Sequence, residues 1–360
     1  MKNPSPSQQK NTLFEQLYQK VSTHIDAARL HLQRSVNTEM VNTYWLIGRD
    51  IVEAEQQGRK RAEYGKSILK QLSTRLINQY GKGFSVRTLE DARKFYLEYP
   101  SQTIGRKSHA LREKSILPVF NPNLGWIHYR ALMRVDRPES RRFYEREAIN
   151  NHWSGRELER QMESLLFDRL AKSKDKKGLL ALANKGHEIN KPEDAIKEPL
   201  VLEFLNIPES HRLVESRLEA ALIENLQHFL LELGKGFAFI ARQKRLTLEG
   251  DHFYADLVFY HVILKCYVII DIKTRKVSHA DLGQMQLYVN YFDQEIKMNT
   301  DNPTIGLILC TEKSNTMVRY TLGEKARQIF ATKYQFHLPT EAELEAELKR
   351  EIEKIQHKPS

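Results

Sequence analysis

Asp256, Asp271 and Lys273 are the residues whose types and spacing point most directly to chemistry. Asp271 and Lys273 stand two apart at the end of a segment, 267–273, that reads as a strand, so they share a face. Residues 267–270 are all apolar or aromatic, which predicts a strand buried on both faces. An aspartate and a lysine ending such a run are costly unless they pair with each other or with a metal. A second strand, 254–260, carries Asp256. A tight turn centred on Ile263 and Leu264 pairs residues whose numbers sum to 527, setting Asp256 opposite Asp271 and Tyr254 opposite Lys273. Directly opposed side chains have Cβ atoms about 5 Å apart. Two carboxylates that close repel each other. A divalent cation between them resolves the repulsion, and oxygen ligands suit Mg²⁺ or Mn²⁺. A slip of one residue would send Asp256 to the other face, so the expectation depends on the turn.

The elements around this pair supply more candidates. Leu218, Leu222, Leu226, Phe229 and Leu233 recur at helical spacing and predict one helix, ended by Gly234. Glu219 lies beside that stripe and is the favoured third carboxylate; Glu215 and Glu224 remain open alternatives. Phe237, Phe239 and Ala241 alternate as in a strand, and Gln243 near its end offers an amide to the cleft. A helix over about 280–295 puts Gln284 and Tyr288, four apart, on one face. Residues 305–310 read as a short buried strand. The order α, β, β, β, α, β predicts a small mixed sheet covered by helices.

Ahead of this lies a different class of sequence. Residues 12–171 read as an all-helical domain, with helical spacing at Tyr44, Ile47 and Ile51 and again at Ile68, Leu72 and Leu76. Ser85 is an expected N-cap for a helix to about Glu98, and Pro138 suits the first turn of another. Ser154 and Glu157 form a capping box for a helix to about Leu170. A helix, a glycine-containing turn at Gly81 and Gly83, and a second helix with outward Arg87, Arg93 and Lys94 match the helix-turn-helix plan. Arg141 and Arg142 add basic charge further on. Residues 172–198, rich in lysine and broken by Gly178, Gly186 and Pro192, read as a basic linker. The second domain is then 199–338, and 339–360 a charged helix or tail.

Composition limits the alternatives. The chain has 360 residues, room for about two domains. The net charge of +10 and the pI near 9.3 favour a polyanionic partner. The excess sits in the N-terminal half, where 58–98 and 106–146 each carry ten Lys or Arg against four Asp or Glu. No window of about 18 apolar residues occurs and no secretory signal is visible, so no membrane span is expected. Two cysteines in apolar runs, Cys266 and Cys310, form neither a disulfide framework nor a four-cysteine zinc site, and a reducing cytoplasm is the expected location. His252, His261 and His279 lack paired zinc spacing and read as structural or phosphate contacts. No Walker lysine motif occurs.

Asp256, then Asp271-Ile272-Lys273, then the 284–288 run Gln-Met-Gln-Leu-Tyr resemble the PD-(D/E)XK nuclease superfamily. More narrowly, the stretch from Glu215 to about Tyr320 resembles the YhcG family of bacterial nucleases. The segment 230–239 and the Phe259-Tyr260-His261 run carry that likeness. Tyr44-Trp45, Gly83-Phe84-Ser85 and Trp153-Ser154 extend it to the family's helical domain. Ala255, in place of proline before Asp256, departs from the superfamily pattern. The resemblance implies a restriction-endonuclease-like second domain and metal-dependent cleavage of phosphodiesters in DNA, branched or recombination intermediates included. On that reading Glu219, Asp256, Asp271 and the Ile272 carbonyl hold Mg²⁺, with Mn²⁺ as a substitute. Lys273 positions water or stabilises developing charge, and Gln284 and Tyr288 contact phosphate or orient ligands. Arg87, Arg93, Lys94, Arg141, Arg142 and Gln243 contact nucleic acid. A homodimer is expected because cutting both strands needs two sites. A non-catalytic DNA-binding or complex-assembly protein on a degenerate nuclease fold is the competing reading, with an RNA substrate weaker still.

Overall fold

A computed structural model of the chain describes residues 6–57, 62–100, 118–171, 176–207, 214–313, 318, 320–321 and 328–339. The tail beyond 339 lies outside the described residues. The chain divides into two units, Met1–Leu158 and Glu159–Ser360.

The first unit is helical. It contains α1 (Pro6–Gln57), α2 (Ala62–Tyr80), α3 (Val86–Glu98), α4 (Trp126–Leu132) and α5 (Pro138–Asn150). Between α2 and α3 the chain turns through Gly81, at φ 90°, and a single 3₁₀ turn. Ser85 then caps α3, its hydroxyl accepting the Thr88 amide at 3.2 Å. The C-terminal part of α1 packs on α3 with backbones almost touching, since a Cβ at Gly48 would lie 2.0 Å from the Ala92 carbonyl oxygen. Ile51, Leu69 and Leu89 close the core among α1, α2 and α3, and Tyr44 stacks on Trp126 at 4.3 Å. The helix-turn-helix-like arrangement anticipated for 62–98 is present.

The capping box of Ser154 and Glu157 forms, but its helix, α6 (Gly155–Glu163), ends early. Leu165 turns left-handed at φ 50° before α7 (Leu166–Ala171) begins. The single helix expected to reach Leu170 is therefore two. The 172–198 stretch is more ordered than its linker-like composition suggests. It carries α8 (Lys176–Lys185) and a 3₁₀ turn at Pro192–Ala195.

The second unit centres on a six-stranded sheet of order β1-β6-β5-β4-β3-β2. Its strands are β1 (Leu200–Val201), β2 (Phe237–Leu248), β3 (Asp251–His261), β4 (Cys266–Ile272), β5 (Ile305–Cys310) and β6 (Ile329–Gln335). β2, β3 and β4 form the antiparallel meander, while β4, β5, β6 and β1 run parallel. The meander, helix and strand follow the expected α, β, β, β, α, β order; β1 and β6 extend the sheet beyond it. The β2–β3 turn is the two-residue pair Glu249 and Gly250, both at positive φ. The 218–233 helix expected as one piece divides into α9 (Glu215–Glu224) and α10 (Leu226–Leu233). At the break, the Asn225 side-chain amide donates to the Ala221 carbonyl at 3.0 Å, a local bond that competes with helix continuation.

Helices cover both faces. Leu218, Leu222 and Phe229 of α9 and α10 pack with Leu257, Phe259 and Ile270. On the other side, α11 (His279–Tyr291) packs Leu282, Met285 and Val289 with Val258, Ile269 and Ile308. α11 sits close to β5 because Gly306 has no side chain; a Cβ there would lie 2.6 Å from Met285 Cγ. Among the described residues no helix is long and apolar enough to cross a membrane.

Candidate active site

β3 and β4 pair in the anticipated register, from Leu257 with Ile270 to His261 with Cys266. The ladder stops at the next pair, Asp256 and Asp271. There the Asp256 carboxylate takes over from the backbone, with Oδ2 accepting the Ile272 amide at 2.8 Å. Thus the amide of Ile272, rather than its carbonyl, is the group engaged with Asp256. Asp271 and Lys273 are both buried, and Lys273 Nζ lies 2.7 Å from Asp271 Oδ2 in an ion pair.

Burial pushes the Asp271 carboxyl up to about 6; Lys273 pulls it down, while Asp256 and Asp281 add to the rise. Burial also raises the Asp256 carboxyl, against the Ile272 amide and Lys273. For Lys273, burial alone would lower the pKa, but Asp271 beside it carries the value above the usual lysine range.

Of the three candidate glutamates, Glu219 is the one joined to Asp256 through a shared partner. Glu219 on α9 is buried, with Oε1 accepting from Arg242 Nε at 2.8 Å and Oε2 from Gln243 Nε2 at 2.7 Å. The same Gln243 nitrogen donates to Asp256 Oδ1 at 3.0 Å, so one amide joins Glu219 to Asp256. Gln243 does this from a left-handed backbone, φ 46°, inside β2. Glu215 is more peripheral, 4.0 Å from Lys273 Nζ and accepting the Thr274 amide at 3.3 Å. Glu224 is exposed at the end of α9. Among the described residues, no three His, Cys, Asp or Glu side chains stand close enough together to hold a metal ion. The Glu219 carboxylate accepts from Arg242 and Gln243, and Asp271 pairs with Lys273.

α11 brings up the other side. Ser278 and Asp281 form its capping box, and Arg275 grips Asp281 with two bonds of 2.7 and 2.8 Å. Burial would raise the Asp281 carboxyl, but Arg275 and Ser278 bring it to about 2. Gln284 Nε2 donates to the Tyr288 hydroxyl, which in turn donates to the Tyr254 carbonyl at 3.0 Å. Tyr288 is buried, so its contact here is with β3, two residues from Asp256.

Of the basic residues expected on the helical unit, three are held by neighbouring groups. Arg93 pairs with Glu55 at 2.9 Å, Lys94 Nζ donates to the Met133 carbonyl at 2.6 Å, and Arg141 is held by Glu98 and the Val135 carbonyl. Arg87 and Arg142 are exposed. Three functional candidates escaped the sequence reading, the exposed Arg242, Lys244 and Arg245, all on edge strand β2. The basic run of 242–245 around Gln243 was the available signal. His261 is buried, its Nδ1 accepting the Leu264 amide at 3.1 Å, a structural role. Cys266 and Cys310 are free and buried.

Comparison with known proteins places the chain. A family model described as YhcG PDDEXK nuclease domain matches residues 193–352, and one described as DUF1016 N-terminal domain matches residues 20–169. A curated Escherichia coli (strain K12) protein named "Putative nuclease YhcG" is 36% identical over 367 residues, covering 94% of each chain. Among solved structures, a repair endonuclease from Pyrococcus abyssi is 19% identical over 37% of this chain and 50% of its own, with a TM-score of 0.25. An EndoMS–dsDNA complex is 14% identical with the same coverage and a TM-score of 0.26. Those two likenesses are too slight to carry an argument. With both family models in sequence and a relative matched along nearly its whole length, the chain belongs to the YhcG family, whose C-terminal domain is a PD-(D/E)XK nuclease domain.

Proposed function

We propose that this protein hydrolyses phosphodiester bonds of DNA with a divalent cation held by the Asp256–Asp271 pair, with Glu219, joined to Asp256 through Gln243, as the third carboxylate of the site, Mg²⁺ being the natural choice and Mn²⁺ a substitute. The observation that carries the reading is the pair of carboxylates on adjacent strands, Asp271 buried and Asp256 half-buried, both raised by burial, Asp271 raised further by Asp256 and Asp256 by Glu219, with Lys273 paired to Asp271. Such a pair fits a divalent cation: it offers oxygen donors and an unfavourable negative charge that a cation relieves. When bound, the cation supplies charge neutralisation at the phosphate and acidifies water.

The chain's own residues do the rest. Lys273 is placed to stabilise charge developing on the phosphate. Gln243 fixes the separation of Glu219 and Asp256, and Tyr288, itself tied to Gln284, fixes β3 through the Tyr254 carbonyl. Ile272 contributes its carbonyl as a further oxygen donor. Exposed Lys244 and Arg245 on β2, with Arg87 and Arg142 on the helical domain 12–171, contact phosphates. The reading includes a cytoplasmic location, branched DNA among the substrates, and a homodimer, one site for each strand.

Plasmid DNA incubated with Mg²⁺ or Mn²⁺ tests it. The expected result is nicking or linearisation that EDTA abolishes and that Asp256→Ala removes. Lys273→Ala lowers the rate about 10²–10³-fold. Cleavage that survives both substitutions overturns the site, and DNA binding with no cleavage under any metal favours the complex-assembly reading instead.

A further inference from the structure

The C-terminal part of α1 is buried against α3, but the part before it is not. Phe14, Tyr18, Val21, Ile25, Leu32, Val36 and Met40 are 42–67% exposed on this one helix. Large apolar side chains in that number, on one helix and facing water, ask for a partner. Their spacing says what kind. Phe14, Tyr18, Val21, Ile25, Ala28 and Leu32 follow steps of 4, 3, 4, 3 and 4 residues, the 3.5-residue period of a coiled-coil seam.

We propose that residues 14–32 of α1 form an antiparallel coiled coil with the same segment of a second copy of this chain. Antiparallel seams pack each a position against a d position of the partner. With Tyr18, Ile25 and Leu32 at a and Phe14, Val21 and Ala28 at d, one register satisfies all six: partners whose numbers sum to 46. Phe14 then meets Leu32 of the second copy, Tyr18 meets Ala28, and Val21 meets Ile25. The bulkiest ring thus faces the smallest side chain, as interdigitating layers require. The same register sets exposed Glu15 across from exposed Arg29 of the other copy, twice by symmetry. A parallel pairing would stack Tyr18 on Tyr18 and Ala28 on Ala28. The two-fold arrangement is isologous and closes on itself, so it gives a dimer rather than a filament. The seam is about 28 Å long at 1.5 Å per residue. It supplies an interface for the homodimer of the nuclease reading, but it is argued from α1 alone and stands or falls without cleavage.

Sedimentation equilibrium on the full chain tests the association. Wild type is expected to be a dimer, and Ile25→Asp to raise its dissociation constant about a hundredfold or more. Circular dichroism on Ile25→Asp is expected to show helix content and melting of the folded monomer retained, because Ile25 is exposed there. Mixing Val21→Cys protein with Ile25→Cys protein under mild oxidation is expected to give the mixed disulfide. A monomeric wild type, or a dimer that Ile25→Asp leaves intact, overturns the proposal. Disulfides joining Val21→Cys to itself and Ile25→Cys to itself, without the mixed species, overturn the antiparallel register. The two native cysteines are buried, with thiol pKa values pushed by burial to about 12 and about 11, and do not compete.

Discussion

The second unit buries two clusters of acidic side chains, and they are built to opposite plans. Glu232 on α10 is fully buried and answered on every side. Arg169 reaches it at 2.7 Å, Arg160 at 3.3 Å, and the Val201 amide at 2.9 Å. Burial would raise its carboxyl, but Arg169, Lys197 and Arg160 outweigh burial and hold it below the usual range. Asp271 is buried and Asp256 half-buried, a single ammonium, Lys273, pairs with Asp271, and both carboxyls are raised. One cluster is a finished structural joint, tying α6 and α7 to α10 and to the end of β1. The other keeps negative charge that the protein's own groups leave uncompensated. Burial of acids by itself therefore says little about function; the balance of charge around them separates a strut from a site.

That contrast can be broken from either end. The largest effect is expected at the strut. Glu232→Gln leaves the fully buried Arg169 guanidinium without its counter-charge and costs about 3–5 kcal/mol of stability, read by urea unfolding. A loss under about 1 kcal/mol would show that the cluster is not a joint.

Asp271→Asn is expected to act in the other direction in metal-free protein. The folded state holds this carboxyl near 6, above its ordinary value of 3.8, and so prefers it protonated. Its contribution is present below about pH 4 and is lost as pH rises through about 6. Above that, the asparagine variant should be the more stable by up to about 2 kcal/mol, part of the gain being offset where Lys273 loses its partner. Melting in EDTA across pH 4 to 8 reads the crossing, and curves that stay parallel would remove the claim of uncompensated charge.

The smallest effects belong to the surface. Lys244→Ala and Arg245→Ala should each flatten the dependence of log affinity on log salt by about 0.9, as a lost phosphate contact does. Arg87→Ala should do the same. Arg93→Ala and Lys94→Ala should do less, because Glu55 and the Met133 carbonyl already hold those side chains. Equal slopes for wild type and the β2 variants would take the edge strand out of the substrate path.

The sequence made the meander readable because its signals are local. A tight turn fixed the β3–β4 register, and with it Asp256 beside Asp271. Glu219 emerged over Glu224 because helix periodicity places it beside buried Leu218 and Leu222. The Ser85 and Ser154 caps were legible for the same reason. What stayed hidden depends on distant partners or on single dihedrals. No pattern announces the left-handed turn at Gln243, which makes one amide serve two carboxylates. Arg160 and Arg169 look like solvated helix residues until α10 brings Glu232 to them. β6 is a seven-residue strand joined by parallel pairing, and nothing local marks it. The break at Leu165 follows from a local backbone turn inside an otherwise helical pattern.

The central claim is that the Asp256–Asp271 pocket takes up a divalent cation. Titrating the chelator-treated protein with Mn²⁺ and following free ion by electron paramagnetic resonance tests it most directly. Wild type is expected to bind the ion, and Asp256→Asn combined with Asp271→Asn to leave it in solution. Uptake by the double variant equal to that of wild type would contradict the account.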